Sequence, residues 1–202
     1  MGPRSRLPKR LALLACLLAS GCYLGSARST TPAELAGEGG WEIIAAVPEV
    51  RQASQQDCGA AALAMVLNYW GRPITLGEIT AANLPSPDSG LRAGLLRDIA
   101  VRQGLLAFLV QGRPGDLDRE IHRHHPVLVG MMKRYFFRNF PHYEVVVGIN
   151  RQKQRVLTLD PAHGLRVNGR DGFAAEWVKA GQLTLVVFPH ATAPQAGANA
   201  DK

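Results

Sequence analysis

The stretch CGAAALAMVLNYW, residues 58–70, places small or apolar side chains on nearly every side of a helical wheel. Ala60, Leu63, Ala64, Val66 and Leu67 cannot all share one stripe, so a helix here has to be buried within the fold rather than laid on its surface. Gly71-Arg72-Pro73 supplies the stop. The start is abrupt, because QQDC runs straight into the apolar residues. Asp57 stands where a cap would, which puts Cys58 in the first turn, where unpaired amides and the helix macrodipole favour a thiolate. The competing reading is packing, since cysteine is also a small hydrophobe that fills cores.

The first residues do not belong to the folded unit. MGPRSRLPKR carries Arg4, Arg6, Lys9 and Arg10 and no acid, and LALLACLLAS is apolar but too short to span a bilayer as a mature helix. Leu18-Ala19-Ser20-Gly21 then leads to Cys22. This pattern resembles a bacterial lipoprotein signal, which implies acylation of Cys22 as the mature N-terminus. Cys16 is the rival anchor, with only five apolar residues before it. Tyr23 in place of an aspartate after Cys22 implies placement in the outer membrane rather than retention in the inner one. The expected organisation is a signal peptide over 1–21, a lipidated N-terminus with a flexible Gly/Ser/Thr-rich tether over 22–40, one domain over 41–189, and a disordered tail over 190–202.

Loss of the signal removes four basic residues and no acid, so the formal charge of +7 falls to about +3. The remaining Lys and Arg are interspersed with Asp and Glu, without a basic tract, and nucleic acid is not an expected partner. With Cys16 removed and Cys22 acylated, Cys58 is left without an internal disulfide partner. No metal-spaced cysteine cluster or phosphate-cradling glycine loop is present, so neither a metal nor a cofactor is expected.

Helical spacing predicts further helices after Thr75, over 91–104 and over 114–122. Residues 83–90, with two prolines, read as a loop. Strands are predicted over 105–110, 127–131, 142–149, 155–160 and 183–188, with a short strand or extended lead-in at 41–48. Helices followed by a mostly antiparallel sheet make an α+β fold.

A thiol at the start of a helix needs a base, and there are six histidines. His122, His124 and His125 sit in a polar run, and His190 lies near the tail. His142 opens the apolar strand HYEVVVGI. The next strand, RVLTLDP, ends in Asp160. A hairpin centred near Arg151 sets His142 across from Asp160, where a carboxylate could orient the imidazole. Gln52, six residues before Cys58, is a candidate oxyanion donor, with Gln55 and Gln56 as competitors.

Gln52, Asp57-Cys58-Gly59-Ala60-Ala61 and the apolar run with Tyr69 and Gly71 resemble the first signature of the double-glycine leader, bacteriocin-processing peptidases. His142-Tyr143 before a valine-rich strand and Asp160-Pro161 are similar to that family's later blocks. The resemblance covers about residues 47–188 and implies a papain-like α+β fold, with the Cys58 helix on an antiparallel sheet. It further implies Cys58 as nucleophile, His142 as base, Asp160 as its orienter and Gln52 as oxyanion donor, acting on a peptide or protein substrate. Members that mature bacteriocins are usually fused to a transporter with the peptidase in the cytosol. The signal here implies an envelope lipoprotein, with outer-membrane lipid and envelope assembly proteins as partners. Two alternatives use the same residues: a catalytically silent binding or assembly module, and a thiol acyltransferase.

Overall fold

The computed structural model describes residues 23–83, 90–135 and 138–190. The signal segment, most of the 83–90 loop and nearly all of the tail lie outside the described residues. The buried helix forms as expected: α2, Cys58–Tyr69, is buried from Cys58 through Leu67. Before it come β1 (Arg28–Ser29), α1 (Pro32–Ala36) and β2 (Trp41–Ile43). After it come α3 (Leu76–Ala82), α4 (Ala93–Arg102), β3 (Leu105–Gln111) and α5 (Pro114–His122). The remainder is β4 (Val127–Arg134), β5 (Asn139–Asn150), β6 (Arg155–Asp160), β7 (Gly164–Gly169), α6 (Arg170–Lys179) and β8 (Leu183–Pro189).

The eight strands form one antiparallel sheet in the order β1-β7-β6-β5-β4-β8-β3, and β2 adds to β5. This is the α+β architecture that the order of helices and strands predicts. Helix α2 packs on β5 and β4, while α6 packs on β4, β6 and β7. A Cβ on Gly59 would sit 3.1 Å from the Tyr143 ring and 3.3 Å from Leu96, so the missing side chain lets α2 approach β5 closely.

Two parts of the chain differ from the sequence expectation. Residues 23–40, whose composition reads as a tether, are folded onto the sheet. Thr31 and Glu34 form a reciprocal capping box with Pro32 in the first turn, β1 pairs with β7, and Ala27 is buried. No element was expected over 164–179, yet β7 and α6 occupy it. Helix α6 buries Phe173, Glu176 and Trp177 despite a polar sequence.

The β5–β6 hairpin turns through residues 151–154, with Asn150 opposite Arg155. A bulge between Val146 and Gly148 shifts the register, so that Val146 faces Thr158 and Val145 faces Leu159. Continuing this register sets Glu144, not His142, level with Asp160. His142 is therefore diagonal to Asp160 on the same face, and the expectation of a directly opposed pair is corrected by two residues.

Ala64 is fully buried in α2. Ala64→Leu is expected to overpack this layer and cost about 1–3 kcal/mol, read as a lower urea midpoint with an unchanged slope.

Candidate active site

Cys58 is the first residue of α2, entered through a 3₁₀ turn at Gln55–Asp57. Asp57 holds the capping position but does not cap α2. Its Oδ2 turns back to accept the Ser54 amide at 2.9 Å, so the first amides of α2 keep no side-chain cap. Gly90, with φ of +64°, lies against this turn so closely that a Cβ would fall 2.4 Å from the Gln56 carbonyl oxygen.

His142 comes to the same place from β5. Its Nε2 is 2.8 Å from Asp160 Oδ1, and that oxygen also accepts the Ala162 amide at 2.8 Å. Cys58 borders the same cleft and lies near enough to this imidazole to raise its pKa. With Nε2 taken by Asp160, Nδ1 is the nitrogen left for sulfur. Burial pushes the His142 imidazole down. The Asp160 and Cys58 hydrogen bonds, with the charges of both groups, outweigh it and hold the value up at about 10. Burial acts on Asp160 in the opposite sense, but the hydrogen bond and charge of His142 hold its carboxyl below the usual range.

Gln52 is anchored beside this pair by its amide, which donates to the Pro161 carbonyl at 3.1 Å. Its side-chain Oε1 is buried without a hydrogen-bond partner among the described residues. Gln52, Cys58, His142 and Asp160 all border one cleft of about 550 Å³. Gln55 and Gln56 border it too, so the cleft alone does not separate the three glutamines. His122 and His125 are engaged elsewhere, with Glu42 at 2.7 Å and Glu120 at 2.8 Å. His163 borders the cleft, with its ring pushed below the ordinary histidine value mainly by burial. Tyr143, beside Cys58, is pushed up to about 12 by burial and by the sulfur's charge.

Behind the cleft lies a buried charge cluster that the sequence reading did not find. Lys133 of β4 pairs with Glu144 of β5 and, at 3.1 Å, with Glu176 of α6. Tyr23 donates to Glu176 at 3.0 Å. Burial opposes the charge on Lys133, but the two carboxylates reverse that and raise its value. Side-chain atoms of His142, Glu144 and Asp160 all lie within 4.8 Å of one another. Lys133 thus keeps a positive charge beside Glu144 and helps to hold Asp160 ionised. The available signal was parity: Glu144 is a charged residue two positions from His142 inside an apolar strand.

The Peptidase C39 profile matches residues 46–191. The chain belongs to the Peptidase C39 family. Among solved structures, the double-glycine-motif protease of an AMS/PCAT transporter, in complex with its leader peptide, is 25% identical. The match covers 71% of this chain and 92% of that one, with a TM-score of 0.58. The peptidase domain of Streptococcus ComA, a bifunctional ABC transporter of a quorum-sensing pathway, is 21% identical. That match has a TM-score of 0.58 over 70% of this chain and 97% of that one. A protein described as a C39-like peptidase from Bacillus anthracis, 17% identical, gives 0.60 over 74% and 98%. These two likenesses bear on the fold. No curated protein sequence matches the chain. The C39 match starts at residue 46, so β1, α1 and β2 are additions that this cysteine peptidase carries before its family domain.

Asp160→Asn in this C39 peptidase should drop the His142 value from about 10 toward or below its ordinary 6.5, as burial then acts with less opposition. NMR titration of the ring carbons reads this directly. The pH dependence of stability follows in sign. The raised His142 value contributes fully below 6.5, and this is lost as pH rises toward about 10. The lowered Asp160 value contributes above 3.8 and is lost as pH falls below that. Lys133→Met would strand two buried carboxylates and should cost about 3–5 kcal/mol, read by urea unfolding.

Proposed function

We propose that this C39 peptidase is an envelope enzyme that cleaves peptide bonds with Cys58 as nucleophile, His142 as base, Asp160 as its orienter and Gln52 as oxyanion donor. The observation that carries the reading is His142 held on Asp160 at 2.8 Å in the same cleft as Cys58, the first residue of α2. His142 takes or holds the thiol proton at Nδ1, and Cys58 Sγ attacks the carbonyl carbon of the scissile peptide bond. The carbonyl electron pair moves onto oxygen. That oxyanion is met by the Cys58 amide and by the side-chain amide of Gln52. Supporting this role, the Gln52 Oε1 has no partner, and rotation of the amide exchanges Oε1 with Nε2. Collapse breaks the C–N bond as His142 hands its proton to the leaving amine. Water, losing a proton to His142, then attacks the thioester and frees the acid and the thiol. Asp160 keeps the proton of neutral His142 on Nε2 and stabilises the imidazolium when it forms.

The location proposed is the bacterial outer membrane, by acylation of Cys22. Tyr23, the next residue, borders the cleft, and consecutive Cα atoms are about 3.8 Å apart. Acylation at Cys22 would therefore hold the cleft at the lipid surface, not at the end of a long tether, and favour peptide segments of other envelope proteins as substrates.

Three measurements on the full chain in detergent test this reading. Mass spectrometry of the mature N-terminus should show acyl mass on Cys22, and an unmodified terminus would contradict the anchor. Iodoacetamide at pH 7 should alkylate Cys58 at least tenfold faster in the wild type than in His142→Ala, as expected for general-base activation. Equal rates would favour the silent binding module. A quenched peptide library should be cleaved, and product found only as an amide with added amine would point to the acyltransferase.

A further inference from the structure

The cleft is bordered by a second cation that has no counter-ion among the described residues. Arg166 of β7 is 9% exposed, borders the cleft with Cys58 and His142, and forms no ion pair with a carboxylate among the described residues. One Nη hydrogen goes to the Ala27 carbonyl at 2.8 Å, and the guanidinium carbon lies 5.9 Å from the Tyr23 ring centroid. Its buried Nε has no hydrogen-bond partner among the described residues. Lys133 shows what a satisfied cation in this wall looks like, with two carboxylates on one ammonium. A guanidinium has five N–H donors, and burying it unpaired is unfavourable unless an anion arrives.

Its position faces the chemistry. Arg166 is directly opposite Thr158 of β6, and Asp160 stands two residues along the same face. The parts that hold it come from outside the family domain. Ala27 and Tyr23 belong to the folded N-terminal segment, which is fixed by the Leu24 amide on the Arg134 carbonyl and by the β1–β7 pairing. Residues 23–29 precede the C39 match at 46, so this wall of the cleft is a feature that the chain adds to its family domain.

We propose that Arg166 is the recognition site for a carboxylate on the substrate, carried by an acidic side chain or a free C-terminus near the scissile bond. The proposal rests on the peptidase reading of the cleft. The carboxylate takes the idle guanidinium donors in a charge-assisted pair, while the Tyr23 ring and Ala27 carbonyl keep the fork from swinging away. The same cation repels peptides with Lys or Arg at that position.

The test uses the full chain in detergent and quenched peptides in which each position is in turn Asp, Glu, Asn, Gln or Lys. Each peptide is made with a free and an amidated C-terminus. Two quantities are read: kcat/KM for cleavage, and protection of Cys58 from iodoacetamide by bound peptide. Carboxylate peptides should exceed their amide counterparts by about tenfold or more in the wild type. The difference should vanish in Arg166→Gln and turn toward Lys peptides in Arg166→Glu. Loss on amidation assigns the C-terminus, and loss on Asp→Asn or Glu→Gln exchange assigns a side chain. Thermal melting checks that the variants fold. Should Arg166→Gln not fold, Arg166→Lys keeps the charge without the fork, and an intermediate preference is expected. Equal handling of carboxylate and amide peptides by the wild type overturns the proposal, as does a preference that survives in folded Arg166→Gln. Peptides that protect Cys58 in an Arg166-dependent way but are never cut would keep this site and remove the peptidase reading. Peptides cut without carboxylate preference would do the reverse.

Discussion

A single extra residue in β5 decides which face of the sheet Asp160 serves. The turn at 151–154 sets Asn150 opposite Arg155, and an uninterrupted ladder from there would bring Asp160 level with Val145. Val145 alternates with His142, so the carboxylate would point to the other side of the pleat. The bulge at Val147 takes up one residue, and Val145 meets Leu159 instead. Asp160 then shares a face with Glu144 and His142, close enough for a 2.8 Å hydrogen bond. Just after β2, the Ile44 amide donates to the carbonyl of the bulged Val147 at 2.8 Å.

The buried charge cluster behind the cleft follows from that register. Once Asp160 and Glu144 lie on one face, two carboxylates come within 4.8 Å of each other, and a buried cation is needed between the strands. Lys133 supplies it, and Glu176 and Tyr23 complete its coordination. Helix α2 needs only small residues at its head to bring Cys58 up to the histidine, which Gly59 and Ala60 provide. The N-terminal segment closes the cleft from the other side, so an addition to the family domain serves both the buried charges and the rim.

Elements with strong periodicity were legible in the sequence. The all-round apolar pattern of α2, the helical spacing of α4 and α5, and the β-rich runs of β3 through β6 and β8 each match the structure to within a few residues. Cys58, His142, Asp160 and Gln52 were all named, and the structure brings all four to one cleft. What stayed hidden depended on tertiary contacts. The Ser/Thr/Ala-rich segment before residue 40 forms β1 only because β7 is there to pair with it, although the Thr31/Glu34 capping box was readable. Helix α6 is polar because Glu176 is buried against Lys133, so its sequence lacks the apolar stripe that identifies a helix. The bulge leaves no local signature, since Val146, Val147 and Gly148 read as ordinary strand residues. The hairpin centred near Arg151 named the right pair in the wrong register because the turn lies at 151–154, and the bulge makes up only one residue of that shift.

The bulged register sets His142 Nε2 on Asp160, which leaves Nδ1 for Cys58. Nitrogen-edited proton NMR of histidine-labelled protein tests it most directly. The expected result is a slowly exchanging, strongly downfield proton on His142 Nε2, retained across the neutral pH range. A neutral ring with its proton on Nδ1, or an Nε2 proton exchanging as freely as that of an exposed histidine, would contradict it.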